Sequence, residues 1–132
     1  MIKTLTVTTR KMFEFKDLTV EVQDIVDKAG INEGLCIIYS PHTTAGITIN
    51  ESADPSVSAD IINHLDAIVP LRSDYAHSEG NSAAHIKTSL MGSSESIIIY
   101  NRKLMLGTWQ GIFFCEFDGP RTRKVHIKLI EG

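Results

Sequence analysis

The sequence predicts an α+β fold with a largely antiparallel sheet, curled or sandwiched, and about three helices packed on it. Three observations predict it. Stretches of strand-like alternation come in pairs and triplets between helical stretches, which is unlike the regular βαβ alternation of a parallel sheet. The helical stretches carry their own start and stop signals. No internal repeat, low-complexity tract or Pro/Gly-rich linker divides the 132 residues, so the chain reads as one domain, 1–132. A chain of this length buries about two thirds of its unfolded surface, enough for one core without disulfides.

Segment 2–9 (IKTLTVTT) is rich in β-branched residues and predicts a strand, with a second short one near 11–16. Asp17 is a candidate helix cap, after which Leu18, Val22, Ile25, Val26 and Ala29 recur at helical spacing until Gly30 supplies the stop. Residues 34–40 (GLCIIYS) form an apolar run of strand length, and 45–51 (AGITINE) alternates apolar with polar; Pro41-His42-Thr43-Thr44 joins them. Asp54-Pro55 opens a second helix whose Val57, Ile61, Leu65 and Ile68 share a face, ending at Pro70. Residues 71–81 are polar and loop-like. A third, short helix starts after Asn81, with Ala83, Ile86 and Leu90 expected inward and Gly92 at its end. Three strands close the chain: 95–100 (ESIIIY), about 108–117 (TWQGIFFCEF), and 121–130, in which Val125, Ile127 and Leu129 alternate with His126 and Lys128. The expected total is seven strands and three helices.

Composition limits the partners. Thirteen Lys+Arg against 16 Asp+Glu, a net charge of -3 with no run of like charges, argue against duplex nucleic acid, whose phosphates ask for a basic surface. Cys36 and Cys115 lie in apolar runs and read as buried thiols of a reducing compartment. The start of the chain lacks the apolar core of a signal peptide, and no stretch approaches the roughly 18 apolar residues of a membrane span, so the expectation is a soluble, cytoplasmic protein with no membrane partner.

Residues able to do chemistry gather in three loops. In the first, His42 sits in a tight strand connection beside Thr43 and Thr44, whose hydroxyls either meet a phosphate or merely stabilise the turn; the following strand leads to Glu51. In the second, His77-Ser78-Glu79-Gly80-Asn81-Ser82-Ala83-Ala84-His85, a helix starting near Ser82 brings His85 back toward His77 and Glu79. Imidazole suits zinc and other first-row divalent ions, with His42 or Glu51 as candidates for a third ligand, although the spacing matches no standard zinc pattern. The bland alternative makes His77 a solvated loop residue and His85 a helix-flank histidine. Backbone N–H groups at the same helix start, with Asn81 and Ser82, favour an anion. In the third loop, Arg121 and Arg123 share the parity of the core-facing Val125, so each needs an acid, Glu116 or Asp118, or a phosphate. Arg121, next to the Gly119-Pro120 turn, is the expected anion ligand; Arg123, one strand step deeper, is the expected structural partner of an acid. His126 reads as a surface residue, His64 as a packed core histidine, and Trp109 as a core or interface anchor.

At these segments the chain resembles the YjbQ-like family, small uncharacterised proteins also described as secondary thiamine-phosphate synthases. The resemblance rests on Ser40-Pro41-His42-Thr43-Thr44 with Asn50-Glu51, on HSEGNSAAH from His77 to His85 followed by Ile86-Lys87, and on Gly107-Thr108-Trp109-Gln110 through Asp118-Gly119-Pro120-Arg121. It implies a barrel-like or jelly-roll sheet, a homotrimer, and a polar site near the histidines that holds a divalent metal ion, zinc or magnesium. The apolar segment 112–117 (IFFCEF), more than one small domain is expected to cover, also suggests assembly. The implied activity joins a hydroxymethylpyrimidine diphosphate to a thiazole phosphate with release of pyrophosphate. Two functional readings follow. In one, the chain is a phosphate-handling transferase with His42, His77 and His85 on the metal and Glu51 or Glu79 moving protons. In the other, the same residues make a non-catalytic trimeric binder of metal or small anions.

Overall fold

The computed structural model describes all of residues 1–132. Its elements in chain order are β1 (Ile2–Thr8), β2 (Glu14–Asp17), α1 (Thr19–Ala29), β3 (Gly34–Tyr39), β4 (Ala45–Glu51), α2 (Pro55–Ile68), α3 (Ser82–Met91), β5 (Ser94–Tyr100), β6 (Lys103–Leu104), β7 (Gln110–Glu116) and β8 (Thr122–Glu131). Eight strands replace the expected seven because the chain after β5 folds back for the two-residue β6, too short to leave a periodic trace.

The strands form two antiparallel sheets, one of order β1-β8-β3-β5-β6 and one of order β2-β7-β4. Period-two alternation decides which side chains meet between them. Cys36 and Ile38 of β3, Ile97 and Ile99 of β5, and Val125, Ile127 and Leu129 of β8 turn inward, where they join Ile47 of β4 and Ile112 and Phe114 of β7. Burying a side chain of this kind contributes about 1.5–3 kcal/mol. Leu18, Val22 and Val26 close the core from the side of α1. The Asp17 carboxylate does accept from the Thr19 N–H at 2.9 Å, but the helix begins one residue later than expected, with Leu18 at the cap. Asp54 caps α2 by accepting from Ser56 N–H, with Pro55 in the first turn.

Four expectations about packing need correction. Helix α2 rests lightly on the sheet and buries none of its residues, so His64 is exposed rather than packed in a core. On α3 the inward line is Ala84, Lys87 and Thr88 along with Ala83, whereas Ile86 and Leu90 face out. The reason is close approach: a Cβ on Gly46 of β4 would lie 2.5 Å from the Gly92 carbonyl oxygen, so only small or slender side chains fit at this seam. Trp109 is 63% exposed and anchors no core within the chain. Finally, residues 112–117 are entirely buried by the chain's own elements, with Phe113, Cys115 and Phe117 packed on Ala84 in a second small cluster.

Candidate functional site

One end of the two sheets carries all three chemistry-bearing loops. Ser40 fixes the first. Its hydroxyl donates to the Ala45 carbonyl at 2.8 Å and its N–H to the Ser93 carbonyl at 2.8 Å, closing the turn and presenting His42 to β8. There the Lys124 N–H donates to His42 Nε2 at 2.9 Å. An imidazole nitrogen that accepts is unprotonated, so this bond assigns the neutral tautomer with its proton on Nδ1. Burial, and then the positive charge of Arg123, hold the His42 pKa below its ordinary value.

Below this loop lies a buried ion pair. Arg123 donates through Nε to Glu116 Oε1 at 2.8 Å and through Nη2 to Glu116 Oε2, and the same Nη2 reaches the Thr44 hydroxyl at 2.9 Å. Thr9 donates to Glu116 Oε1 at 2.8 Å, and the Asp118 N–H donates to Oε2 at 3.0 Å. Burial alone would raise the Glu116 pKa, but Arg123 and these donors together hold it below the usual carboxylate range. Gly119 is required here, because a Cβ would lie 2.2 Å from the Lys11 carbonyl oxygen. The expected structural role of Arg123 is thus visible with its partners, and Thr44 belongs to the same floor.

Arg121 is exposed at the rim. Its Nη2 donates to Asp118 Oδ2 at 2.8 Å and its Nε to the Asp118 carbonyl at 2.9 Å; Asn81 Nδ2 donates to the same Oδ2 at 3.0 Å. Asp118 is therefore committed to Arg121 and Asn81, not to Arg123. Across the pocket the His77 and His85 rings stand edge to face with centroids 5.3 Å apart, and His77 Nε2 lies 3.8 Å from Glu79 Oε2.

These side chains surround one cavity of about 430 Å³ with no hydrophobic residue in its lining. His42, Thr43, Thr44, His77, Glu79, Asn81, His85 and Arg121, all singled out in the sequence, meet there. Two candidates do not. Glu51 lies at the opposite end of β4, about 20 Å along the strand, where its carboxylate accepts from the Ala53 N–H. Ser82 lines the neighbouring hollows beside Tyr75 instead. Arg123, Asp118 and Thr9 complete the arrangement. Asp118 and Arg123 were legible as charges needing partners; Thr9 and the Lys124 N–H carry no signal in sequence.

The residues fit a metal only in part. No three His, Cys, Asp or Glu side chains converge as a ready cage, and the Nε2 of His42 is already used. His77 and His85 remain as an imidazole pair able to contribute two ligands to a shell completed from elsewhere.

Fold and site together define a small α+β protein with a histidine-lined polar pocket at one end of an antiparallel double sheet. A family model for UPF0047 YjbQ-like proteins matches residues 3–132, and the chain belongs to that family. It is 51% identical to the UPF0047 protein YugU of Bacillus subtilis over 98% of this chain and 99% of that one. A UPF0047 protein of Methanocaldococcus jannaschii is 53% identical over 92% of this chain and 88% of its own. A crystal structure of a YjbQ/UPF0047 family protein from Clostridium acetobutylicum superposes with a TM-score of 0.96 at 55% identity, covering 97% of this chain and 99% of that one. A structure from Sulfolobus solfataricus, described as of unknown function, reaches the same TM-score at 31% identity, covering 100% and 97%.

Proposed function

We propose that the chain binds a small phosphorylated molecule in the 430 Å³ pocket. The observation that carries this reading is a lining that is polar at every residue but Pro41, in which hydrogen-bond donors converge from three separate loops. Glu116 and Asp118 offset the two guanidiniums, so the pull on an anion comes from donors still free. These are the Nδ1–H of His42, the Thr43 hydroxyl, the N–H groups of Arg121 that Asp118 does not use, and the start of α3, where Asn81 makes no side-chain cap. A divalent ion, zinc or magnesium, would take His77 and His85 from the protein and complete its shell with phosphate oxygens and water.

A transferase reading is favoured by the His77–Glu79 contact beside the anion donors. In the thiamine-phosphate synthase reaction that the resemblance implies, thiazole nitrogen displaces pyrophosphate from the pyrimidine methylene. Arg121 would stabilise the departing charge and His77 would hand it a proton.

Calorimetric titration with inorganic phosphate and pyrophosphate, each with and without magnesium or zinc, tests the binding proposal. Saturable binding of pyrophosphate is expected. Arg121→Lys keeps the charge but removes the planar fork, and should weaken that binding by about 1–3 kcal/mol with an unchanged melting temperature. No heat from either anion under any of these conditions overturns the proposal. Incubation with the pyrimidine diphosphate and thiazole phosphate decides the transferase reading, which fails if no thiamine phosphate forms.

A further inference from the structure

Residues 71–80 lie between α2 and α3 and bring His77 and Glu79 to the pocket. The segment is pinned at both ends. Before it, the Val69 N–H donates to the Leu65 carbonyl at 2.8 Å, and Asp66 in the last turn of α2 meets the enclosed Lys87 of α3 at 3.3 Å. After it, Asn81 Nδ2 donates to Asp118 Oδ2 at 3.0 Å. Between these pins the hydrogen bonds stay local: the Tyr75 N–H donates to the Ser73 carbonyl at 2.9 Å, and the Tyr75 hydroxyl donates to the Pro70 carbonyl at 2.5 Å. Every residue from 71 to 80 is exposed except Tyr75, which is half-buried. A segment with few buried contacts and a solvated backbone moves at low free-energy cost while the elements that hold it stay in place.

The segment also stands off from the helix beside it. Tyr75, Ala76 and His77 line a hollow of about 350 Å³ together with Ser82, His85 and Ile86 of α3, so room remains between the two. Ile86 is 40% exposed on the side of α3 turned away from the sheet, an apolar side chain that the packing of α3 does not use. His77 already meets the helix, its ring edge to face with that of His85 at 5.3 Å between centroids. The side chains of His77 and Glu79 are 45% and 72% exposed although both line the 430 Å³ pocket. Movement of the segment toward α3 would fill the hollow, cover Ile86 with Tyr75, and carry His77 and Glu79 over the pocket mouth.

We infer that residues 71–80 are a lid: when a phosphorylated ligand binds, the segment swings about its pinned ends, seats Tyr75 and Ala76 on Ile86, and closes His77 and Glu79 over the pocket. This rests on the phosphate-binding reading of the main pocket and adds how that pocket is closed. A ligand shifts such a segment only by contacts it makes better in one state than in the other. Arg121 and the Thr43 hydroxyl hold the phosphate from the body of the chain in both states, whereas a ring N–H of His77 reaches it only when the segment is down. Closure also expels water, which strengthens every one of these bonds. Gly80, at a φ of +79°, is the hinge beside the Asn81 pin.

Limited digestion of the full chain with trypsin tests the inference, because trypsin cuts after Arg72, inside the segment, and after Arg102, an exposed residue in the turn between β5 and β6 at the other end of the sheet. Calorimetry on the same samples fixes a concentration of pyrophosphate, with magnesium, that saturates the protein. Expected there is a slowing of the cut after Arg72 by about fivefold or more, with the cut after Arg102 unchanged. Ile86→Ser removes the apolar seat at an exposed position; it should still give binding heat and should lose most of that protection. Binding heat with an unchanged rate at Arg72, or equal slowing at both sites, overturns the lid while leaving phosphate binding intact. Full protection retained in Ile86→Ser overturns the seat and with it the closure described. Absence of heat overturns the phosphate-binding reading and the lid together. A thermal melt reports the folded state of the variant; should Ile86→Ser not fold, the comparison of the two cuts in the wild type decides alone.

Discussion

Arg121 and Arg123 stand two residues apart at the mouth of β8, one in solvent and one enclosed. Removing one partner of an enclosed pair leaves a charge with nothing to offset its desolvation, so Arg123→Met should destabilise the fold by about 3–5 kcal/mol. Denaturant unfolding measures this, and a loss below about 1 kcal/mol would show that Glu116 is sustained by Thr9 and Asp118 N–H alone. His42 supplies the pH dependence. Its folded pKa is depressed, so the unfolded chain binds the proton more readily, and the stability it contributes is complete above about pH 6.5 and is lost as pH falls through the folded value. Melts between pH 5 and 8 should show the decline, and His42→Asn should flatten it; an NMR titration of the His42 ring at or above the ordinary value would contradict this. At this scale the site was largely legible, because histidines and arginines stand out wherever they occur. Glu51 misled because it stands beside a matching motif in sequence, and only the length of β4 carries it away. The tautomer of His42 depends on a backbone N–H from β8, 82 residues along the chain, which no local pattern encodes.

Helix α3 shows where periodicity fails. Apolar spacing pointed to Ile86 and Leu90, yet the helix turns Ala84, Lys87 and Thr88 to the sheet because β4 offers it Gly46 and not a bulky hollow. Lys87 is tolerated there: its Nζ lies 3.3 Å from Asp66 Oδ1 and 4.0 Å above the Phe13 ring, so its charge keeps partners after the stem is enclosed. The Ile47 N–H donates to the Gly92 carbonyl at 3.1 Å, tying the end of α3 to β4. Gly46→Ala must push that carbonyl away. It is expected to cost about 1–3 kcal/mol of stability and, by shifting Asn81 and His85, to weaken anion binding. A melt paired with a pyrophosphate titration checks both, and an unshifted melting temperature would mean that the seam has slack.

The outer face of the five-stranded sheet remains open in a single chain. Leu35 sits opposite Ile98 on β5 and Ile130 on β8, and all three are exposed, with Tyr39 and Tyr100 nearby. With segment 112–117 buried, this face is where we propose that the homotrimer implied by the family resemblance would make its contact, and a cyclic arrangement would cover it in every copy. Light scattering should give about three times the 14.6 kDa chain mass, with Ile98→Glu shifting it toward one; a concentration-independent monomer mass for the unsubstituted chain would refute the trimer. No helix of the chain is long and apolar enough to cross a membrane. The antiparallel character of the sheets was legible from strands that follow one another without helices between. Their order was not, since alternation states which way a side chain points and is silent on which strand lies beside it. That order places β8 between β1 and β3, and β1 pairs in its sheet with β8 alone. During synthesis, then, β1 emerges before β8 and waits for this neighbour until the elements between them have been made. For most of that interval two unpaired strand edges stand open to neighbouring nascent chains, and the step that closes them is the threading of the final strand into the middle of the sheet.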